Sequence, residues 1–465
     1  MEVESQARLV AQASSRPMGV WAATAVVTGE AISLGIFLTP AGMAKALGSP
    51  ALLGAVWCGM AVITLAGALC FMELAVRNPQ DGGEYVYLRR GFGRHVAFLY
   101  GWMAAVVMYP GVAAALSVGI VPYVQALFPM PAGFAAAVPA LILFALGGLN
   151  YFGTRLSSRV MAMLNWLKIP VLVALVGWAF VSGHASMANV LPFTTRRAGS
   201  DPLVDGIAGA TISAFFCFGG WWEAGKIAGE VRNPSRNLAV AFSGGVLIVT
   251  AIYLLLSFAF VAVVPMEQIH SNAAFVALFG QALFGAAGGR VLAACVVLCV
   301  LGGLMVLSMA VPRVTVALAQ GEAGNATRGP LAGFGRLHPR FGTPGNAVLL
   351  QTAMALLILS LGAFDRILAY IIFPSVVFLA LTAATLFRAI APVKRWWVPL
   401  APLLFIVGSG FLAGMLLLHS PGAALLGAGI VLCGLPARWM LTRRGGIAAH
   451  SVPNEEHLLV SDTRP

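Results

Sequence analysis

Long apolar stretches alternate with short polar segments along the chain. Most stretches have about 20 residues or more, the length that a helix needs to cross a hydrocarbon core of ~30 Å. They do not show the alternation over about ten residues that is typical of membrane β-strands. The pattern predicts twelve membrane-spanning helices, called spans 1 to 12 in chain order, at residues 18–40, 51–74, 96–127, 134–152, 160–182, 206–228, 239–264, 289–318, 346–362, 366–388, 398–418 and 420–441.

The composition fits a chain whose main solvent is lipid. Hydrophobic residues make up 60% of the 465 positions and charged residues 9%, and the mean hydropathy is +0.90. A soluble domain carries about 25% charged residues, because water must solvate its surface. The predicted fold class is therefore an all-α polytopic membrane protein, with the lipid bilayer as its surroundings.

Basic residues are distributed unevenly between the loops on the two sides of the membrane. With the N-terminus in the cytoplasm, 21 of the 28 Lys and Arg residues lie on the cytoplasmic side and 5 on the other side. Loops rich in Lys and Arg stay in the cytoplasm. Both termini, with an N-terminal segment at 1–17 and a tail at 442–465, are predicted to be cytoplasmic. Because the net charge of +12 is spread over many loops, no nucleic-acid partner is expected.

Two spans carry glycine and polar residues where a membrane helix should be continuous. They do so at residues 28–37 in span 1 and 215–222 in span 6. A broken helix exposes backbone N–H and C=O groups, which is tolerated only around a protein-lined or watery cavity. Breaks at matching positions of two halves of a chain indicate the midplane site of a transporter.

The two breaks offer complementary groups to a zwitterion. A half-helix that starts near Ser33 to Gly35 directs free N–H groups and a positive dipole end at an anion such as a carboxylate. Carbonyl groups freed near Glu30, or at Cys217 to Gly219, can accept hydrogen bonds from an ammonium group. One amino acid would satisfy both ends.

Four segments carry the motifs of a known family. Residues 33–40 read Ser-Leu-Gly-Ile-Phe-Leu-Thr-Pro, residues 79–88 contain Gly-Gly-Glu-Tyr, and two further motifs lie at 218–238 and 338–344. Together they resemble the amino acid–polyamine–organocation (APC) superfamily, and within it the bacterial amino acid permeases related to the L-type amino acid transporters.

This resemblance implies a LeuT-type fold and transport by alternating access. Spans 1–5 and 6–10 would form two inverted repeats, with broken helices in spans 1 and 6. The transport core would then cover residues 18–388, and spans 11 and 12, at 398–441, would be peripheral. The loop after span 3 lacks the cysteine by which animal L-type light chains attach a glycoprotein, so no disulfide-linked heavy chain is expected as a partner.

The substrate-binding set is predicted from the breaks and the resemblance together. Ser33 and Leu34 replace the Gly and Ser of the family motif, and Leu34 either narrows the pocket or alters the unwinding. Phe216 and Phe218 are interpreted as an aromatic gate, with Phe216 favoured, or as ordinary packing. The predicted residues are Glu30, Ile32, Ser33, Leu34, Gly35, Phe216, Cys217, Phe218, Gly219 and Gly220.

Glu30 and Lys168 are the candidate coupling residues. Glu30 is costly in hydrocarbon unless it is paired or faces water, so it is a proton-coupling group, an ammonium partner or a structural group. Lys168 lies about 12 Å into span 5, at 1.5 Å per residue. Either it snorkels to the cytoplasmic interface, or, as the resemblance implies, its ammonium replaces a sodium ion and bonds the carbonyls at the span 1 break. The second alternative predicts sodium-independent transport.

Three structural contacts are also expected. Glu223 should contact Lys226, and the Tyr109-Pro110-Gly111 segment should kink span 3 near the cavity wall. The pair Glu230 and Arg232 resembles a cytoplasmic latch.

No group of His, Cys and Asp has catalytic or metal-ligand spacing, and no P-loop is present, so no enzyme activity, cofactor or metal is expected. The leading hypothesis is secondary active transport of a neutral amino acid across the cytoplasmic membrane. A carrier of cationic amino acids or polyamines is one alternative, although it would need acidic groups along the side-chain pocket. A substrate sensor that does not transport is the other.

Overall fold

The computed structural model describes residue 16 and residues 18–268, 272–323, 331–361, 364–388 and 400–444. These residues are almost entirely helical and contain no strand; one isolated bridge joins Met18 to Val231. A helix satisfies its backbone polar groups within its own segment, which is why apolar sequence of this kind folds as helices in lipid. The predicted LeuT-type, all-α membrane fold is confirmed.

The helices of spans 1 to 5 occupy the first half of the described chain. A π-helical turn, Ala104–Met108, joins two of them within span 3. The α-helices are α1 Val20–Ala31, α2 Gly35–Leu47, α3 Pro50–Arg77, α4 Glu84–Met103, α5 Tyr109–Gly119, α6 Val121–Leu127, α7 Ala132–Phe152, α8 Thr154–Val181 and α9 Met187–Val190.

The second half contains spans 6 to 12 and several 3₁₀ segments. The α-helices are α10 Leu203–Phe218, α11 Pro234–Val263, α12 Asn272–Phe284, α13 Gly288–Ala310, α14 Pro312–Ala323, α15 Gly345–Leu361, α16 Phe364–Ala384, α17 Leu400–His419, α18 Pro421–Leu432 and α19 Gly434–Arg444. The 3₁₀ segments are Trp221–Glu230, Met266–Gln268, Gly285–Ala287 and Thr385–Arg388.

Each predicted span has a helix at its position. Ten of the described helical segments are long and apolar enough to cross a membrane, and the bent pair α1 and α2 raises that number to eleven. The helix at span 9, α15, is apolar but shorter, with 17 residues. The chain is therefore a multi-pass membrane protein.

Several helices extend beyond the predicted spans; α2, for example, ends at Leu47 rather than at residue 40. Helix α4 covers Glu84–Met103, but the non-helical backbone of Gly93 (φ +83°, ψ −178°) divides it, so the part that belongs to span 3 begins just after Gly93, close to the predicted residue 96. The helix α12, Asn272–Phe284, was not predicted; it precedes span 8 and packs against α13. In span 12, α19 continues to Arg444, and the remainder of the predicted tail lies outside the described residues.

Burial divides the spans into a central and an outer group. In the central parts of spans 3 and 8, 67% of the residues are buried, and in span 7 the share is 61%. Spans 4 and 12 bury 28%, and spans 5 and 11 bury 33%, so a larger share of their residues faces outward. In the centre, α11 packs on α1 and α3, α10 packs on α2, and α13 packs on α8. This packing surrounds the two broken spans with other helices.

Candidate functional site

The predicted break in span 1 lies at residues 32–34, between α1 and α2. The axes of the two helices differ by 46°. Ile32 still donates its N–H to the carbonyl of Thr28 (3.0 Å), but the N–H of Ser33 turns back to Ala31 (2.9 Å). The chain then re-enters a helix at Gly35, so the N-terminus of α2 faces the interior of the protein.

The predicted break in span 6 lies at Gly219 and Gly220. The helix α10 ends at Phe218, and Gly220 has a left-handed backbone with φ +101°. A Cβ on Gly220 would also lie 2.5 Å from the Cβ of Glu30. Only glycine meets both requirements. The chain continues as the 3₁₀ helix Trp221–Glu230 rather than as the expected α-helix.

A cavity lies between the two breaks. Its volume is about 90 Å³. Helices α1, α2, α5, α10 and α16 contribute its walls, together with the first turn of the 3₁₀ helix. The lining residues are Glu30, Ala31, Ser33, Gly35, Met108, Tyr109, Val112, Leu116, Phe215, Phe216, Gly219, Gly220, Trp222, Ile371, Ile372 and Ser375. Tyr109 lies at the cavity wall, as expected, but its own backbone is helical (φ −73°, ψ −40°), and the irregularity of span 3 is the π-helical turn that precedes it.

Six of the ten predicted substrate-binding residues line this cavity: Glu30, Ser33, Gly35, Phe216, Gly219 and Gly220. The other four are buried in packing. Ile32 and Leu34 are 0% exposed, and the Sγ atom of Cys217 lies 2.7 Å from the hydroxyl of Thr39. Phe218 packs its ring against Trp57 and Tyr253, with centroid distances of 5.9 and 5.2 Å.

Three polar atoms on lining residues are buried without a hydrogen-bond partner among the described residues. They are Oε2 of Glu30, Oγ of Ser33 and Nε1 of Trp222. A buried polar atom without a partner is costly, so each is suited to a polar ligand group. The set combines an anionic acceptor with a hydroxyl and an indole N–H.

Lys168 reaches the break in span 1 from α8. Its Nζ donates to the carbonyl oxygens of Gly29 (2.5 Å) and Ile32 (2.7 Å), and its side chain is fully buried. The structure therefore places it on the freed carbonyls and not at the membrane surface. Asn165, one turn earlier, donates to the carbonyl of Gly302 (3.3 Å) and so links α8 to α13.

Tyr253 of α11 lies between the two breaks. Its hydroxyl oxygen is 2.5 Å from the carbonyl oxygen of Ala31 and 2.7 Å from that of Cys217. A phenol has one proton, so the two carbonyls share a single donor. The sequence analysis missed this residue, although a tyrosine inside an otherwise apolar span is a signal for a buried polar contact.

The family is decided by comparison with known proteins. A family model described as amino acid permease matches residues 18–433. The chain belongs to the amino acid permease family. It is 27% identical over 441 residues to the serine/threonine exchanger SteT of Bacillus subtilis, an alignment that covers 92% of this chain and 97% of that protein.

Two mammalian relatives from Mus musculus are similarly distant. The permease is 27% identical to the large neutral amino acids transporter small subunit 2, over 92% of this chain and 81% of the relative. It is 28% identical to the Asc-type amino acid transporter 1, over 91% of this chain and 81% of the relative. These proteins are transporters, which supports the prediction that the permease is not an enzyme.

Next to the cavity, the permease buries an ion-pair cluster formed by Glu84, Glu223 and Lys226. The Nζ of Lys226 lies 2.8 Å from Glu223 and 2.9 Å from Glu84, and all three side chains are at most 1% exposed. The ring of Tyr109 lies 4.9 Å from the same ammonium group and covers another side of it. The predicted contact of Glu223 with Lys226 is confirmed, whereas Glu84, at the start of α4, is an additional partner.

At the cytoplasmic end predicted for the permease, three elements meet. Asp81, before α4, accepts a hydrogen bond from the N–H of Gly229 (3.0 Å). Glu230 pairs with Arg313 of α14 at 2.5 Å. Of the two residues of the predicted latch, Glu230 thus pairs with Arg313, whereas the Arg232 side chain is exposed and its backbone N–H donates to the carbonyl of Met18 (2.8 Å). The segment before α1 is thereby attached to the end of span 6.

Burial in this contact changes the titration of Asp81. Removal from water, together with the neighbouring Glu230 carboxylate, raises the pKa of Asp81 to about 7, while the Arg313 guanidinium acts in the opposite direction. Asp81 therefore titrates near neutral pH at a contact between the loop before α4 and the end of span 6.

Within the described residues, no group of three or more His, Cys, Asp and Glu side chains could hold a metal ion. The six cysteines are free thiols; Cys70, Cys217, Cys295 and Cys299 are buried, and Cys58 and Cys433 are exposed. The chemistry of the site is therefore that of hydrogen bonds, ion pairs and helix ends.

Proposed function

We propose that the permease is a secondary transporter of neutral amino acids that works by alternating access in the cytoplasmic membrane. The observation that carries this proposal is the cavity between the two helix breaks, whose lining includes unpartnered polar atoms and extensive apolar surface. Relatives that match more than 90% of this chain are named as exchangers or transporters of amino acids.

The backbone of the substrate fits the polar side of the cavity. Its carboxylate would lie at the N-terminus of α2, near Ser33 and Gly35, where free N–H groups and the helix dipole favour an anion. The Trp222 indole is a further possible donor to it. Its ammonium would lie between the two breaks, where Glu30 supplies an acceptor. The two charged ends of one amino acid would then each have a partner.

The side chain of the substrate would face the apolar side of the cavity. Phe215, Phe216, Ile371 and Ile372 lie there, and they favour an uncharged side chain. Glu30 is the one acidic residue among the lining residues of the cavity, and it adjoins Gly220 at the break. A cationic side chain would have no separate carboxylate in this pocket, which argues against lysine or a polyamine as the main substrate.

Lys168 fits a role in coupling substrate occupancy to the position of α1. Its ammonium bonds two carbonyls of the break at 2.5 and 2.7 Å. A fixed cation there supplies the positive charge that a metal ion would otherwise bring. We therefore propose sodium-independent transport, with Lys168 and Glu30 as the coupling residues.

The termini of the permease are proposed to be cytoplasmic. Four segments contact one another: the segment before α1, the loop before α4, the end of the 3₁₀ helix Trp221–Glu230, and α14. The basic-residue count assigned all four to the same side of the membrane. We further propose that the permease functions without a disulfide-linked heavy chain. A reporter fused to the C-terminus should be active only if it functions in the cytoplasm; activity of an external reporter would reverse this topology.

Uptake into proteoliposomes tests the function. Radiolabelled alanine, serine, leucine, lysine and putrescine are supplied with sodium or choline chloride, with and without unlabelled substrate inside. We expect saturable uptake of neutral amino acids that does not depend on sodium. Equal uptake of lysine or putrescine would contradict the neutral specificity. Binding of amino acids without any uptake would instead support a sensor.

A further inference from the structure

Acidic groups outnumber basic groups around the cavity of the permease, where Glu30 is half-buried and Glu84, Glu223, Lys168 and Lys226 are buried. Glu30 lies at the break of span 1, and Glu84 and Glu223 lie on either side of Lys226. The nearest other cation is Lys168, which bonds the carbonyls of Gly29 and Ile32. With every group ionised, three carboxylates face two ammonium groups, so one negative charge is in excess.

The hydrogen-bond partners are also incomplete on the acidic side. The Oε1 atoms of Glu84 and Glu223 each accept a hydrogen bond from Lys226. The second oxygen of each carboxylate, Oε2, is buried without a hydrogen-bond partner among the described residues. The Oε2 atom of Glu30 is in the same state. Lys226 has two carboxylate partners and the Tyr109 ring around it, so it has little capacity to neutralise a third.

Glu30 lies close to this ion-pair cluster. Its side chain packs on Gly220, where a Cβ would lie within 2.8 Å of three carbon atoms of Glu30. The N–H of Glu223 bonds the carbonyl of the same Gly220 at 3.1 Å. Because the dielectric constant of the protein interior is low, a change in the charge of Glu30 alters the electrostatic energy of this cluster.

An excess buried charge is expensive, and a carboxyl group can remove it by taking up a proton. We propose that Glu30, Glu84, Glu223 and Lys226 together hold one exchangeable proton, and that the ammonium group of the substrate displaces it. The carboxylic O–H bond breaks, the proton leaves through the cavity, and the carboxylate of Glu30 pairs with the ammonium. This inference rests on the proposed amino acid site.

Other titratable groups surround the cluster on every side. Tyr100 and Tyr109 of span 3, whose hydroxyl oxygens are 3.5 Å apart, interact electrostatically with Glu84 and Glu223. Tyr87 of α4 faces Glu84 and Asp81. Lys168, with Cys299 beside it, approaches Glu30 from α8. The proton therefore belongs to a coupled set, and its binding is measured for the whole set rather than for one residue.

Calorimetry on the purified permease tests the proposal. The ligand is whichever of alanine, serine, threonine, leucine and methionine binds most tightly. Its binding heat is measured at one pH in buffers of different ionisation enthalpy, which gives the number of protons released. Wild type should release close to one proton per bound amino acid at a pH where the set is protonated, and the Kd should fall with rising pH by up to about tenfold per unit.

Two isosteric variants remove one negative charge each. With Lys168 counted, either Glu84→Gln or Glu223→Gln brings the formal charge of the set to zero, so each variant should still bind the amino acid but release almost no proton, with a Kd that is nearly independent of pH. The matched control is Glu322→Gln. Glu322 is equally buried, pairs with Arg438 at 3.0 Å and has an unpartnered Oε1, but it lies on α14 outside the cavity. It should retain wild-type proton release.

The outcomes separate this inference from the proposed function. Binding without proton release in wild type would overturn the proton site and leave the amino acid site standing. Release that persists in both amide variants would place the proton elsewhere and also overturn it. If no amino acid binds to wild type, the proposed function fails, and the inference fails with it.

Discussion

The two helix breaks of the permease are held open in different ways. The break in span 1 contains no glycine between its two helices, and side chains from other helices take its freed carbonyls: Lys168 from α8 and Tyr253 from α11. The break in span 6 consists of Gly219 and Gly220, and the left-handed backbone of Gly220 defines it. The first break is a tertiary feature, whereas the second is local.

This difference has consequences for mutation. A break imposed by a glycine backbone is lost when a Cβ is added, since the strain is intrinsic to the new residue. A break maintained by distant side chains is weakened when those side chains are shortened, since buried carbonyls then lose their donors. Four experiments, in order of expected effect, test this distinction.

The largest effect is expected at the glycine break. Gly220→Ala adds a Cβ at φ +101° and 2.5 Å from the Cβ of Glu30, so the break and the cavity cannot both persist. We expect amino acid uptake to fall by about a hundredfold or more, which is ~3 kcal/mol at 1.4 kcal/mol per tenfold. Gly209→Ala on α10 of the same span, where the added Cβ meets nothing within 4 Å, is the control. Near-normal uptake by Gly220→Ala would refute a backbone-defined break.

The second effect concerns the cation at the other break. Lys168→Ala leaves the carbonyls of Gly29 and Ile32 without their donor, at about 1–3 kcal/mol for each buried group. Transport should be almost completely lost, with the protein still inserted and monodisperse in detergent. Lys45→Ala, at an exposed position of α2, should behave as wild type. Full activity of Lys168→Ala, or strict sodium dependence of wild type, would remove Lys168 from the mechanism.

A smaller effect is expected at the contact that both breaks share. Tyr253→Phe removes one hydroxyl but keeps the ring that packs on Trp57 and Phe218. One buried hydrogen bond is worth about 1 kcal/mol, so uptake should fall about fivefold, with little change in thermal stability. Tyr123→Phe, on the half-buried α6, is the matched control. Equal uptake by the two variants would show that the breaks move independently of Tyr253.

The break in span 6 was predictable from the sequence, and so were some of the contacts at the break in span 1. Paired glycines in an apolar span, and a lysine inside span 5, are visible without coordinates because they violate the composition of a membrane helix. The preference for Phe216 over Phe218, which the resemblance suggested, also has a geometric reason. Residues two apart on a helix point about 200° away from each other, so only one of them can face the cavity while α10 stays helical to Phe218.

The contacts between distant segments were not predictable. Glu84 and Lys226 are 142 positions apart, and the local sequence around neither residue predicts that they pair. The same is true of Tyr253 and of Ile371, Ile372 and Ser375 on α16, which complete the cavity wall. Arg313 replaces Arg232 as the partner of Glu230 for this reason: the local neighbour was visible in the sequence, and the tertiary partner was not.

The smallest effect is expected at the end of the 3₁₀ helix of span 6, where Asp81 accepts a hydrogen bond from the N–H of Gly229. Its pKa is raised by burial from 3.8 to about 7, so folding favours the protonated form. The contribution of Asp81 to stability is therefore full below about pH 4 and is lost as the pH rises towards 7.

Unfolding temperatures of the purified permease at pH 5, 6, 7 and 8 test this sign. Wild type should lose a few degrees over the range, and Asp81→Asn, which keeps the acceptor oxygen but cannot ionise, should lose less. Asp205→Asn, in the exposed first turn of α10, is the control and should follow wild type. If Asp81→Asn follows wild type as well, the carboxyl is already hydrated, and the 3₁₀ helix of span 6 is held at its far end by Glu230 and Arg313 instead.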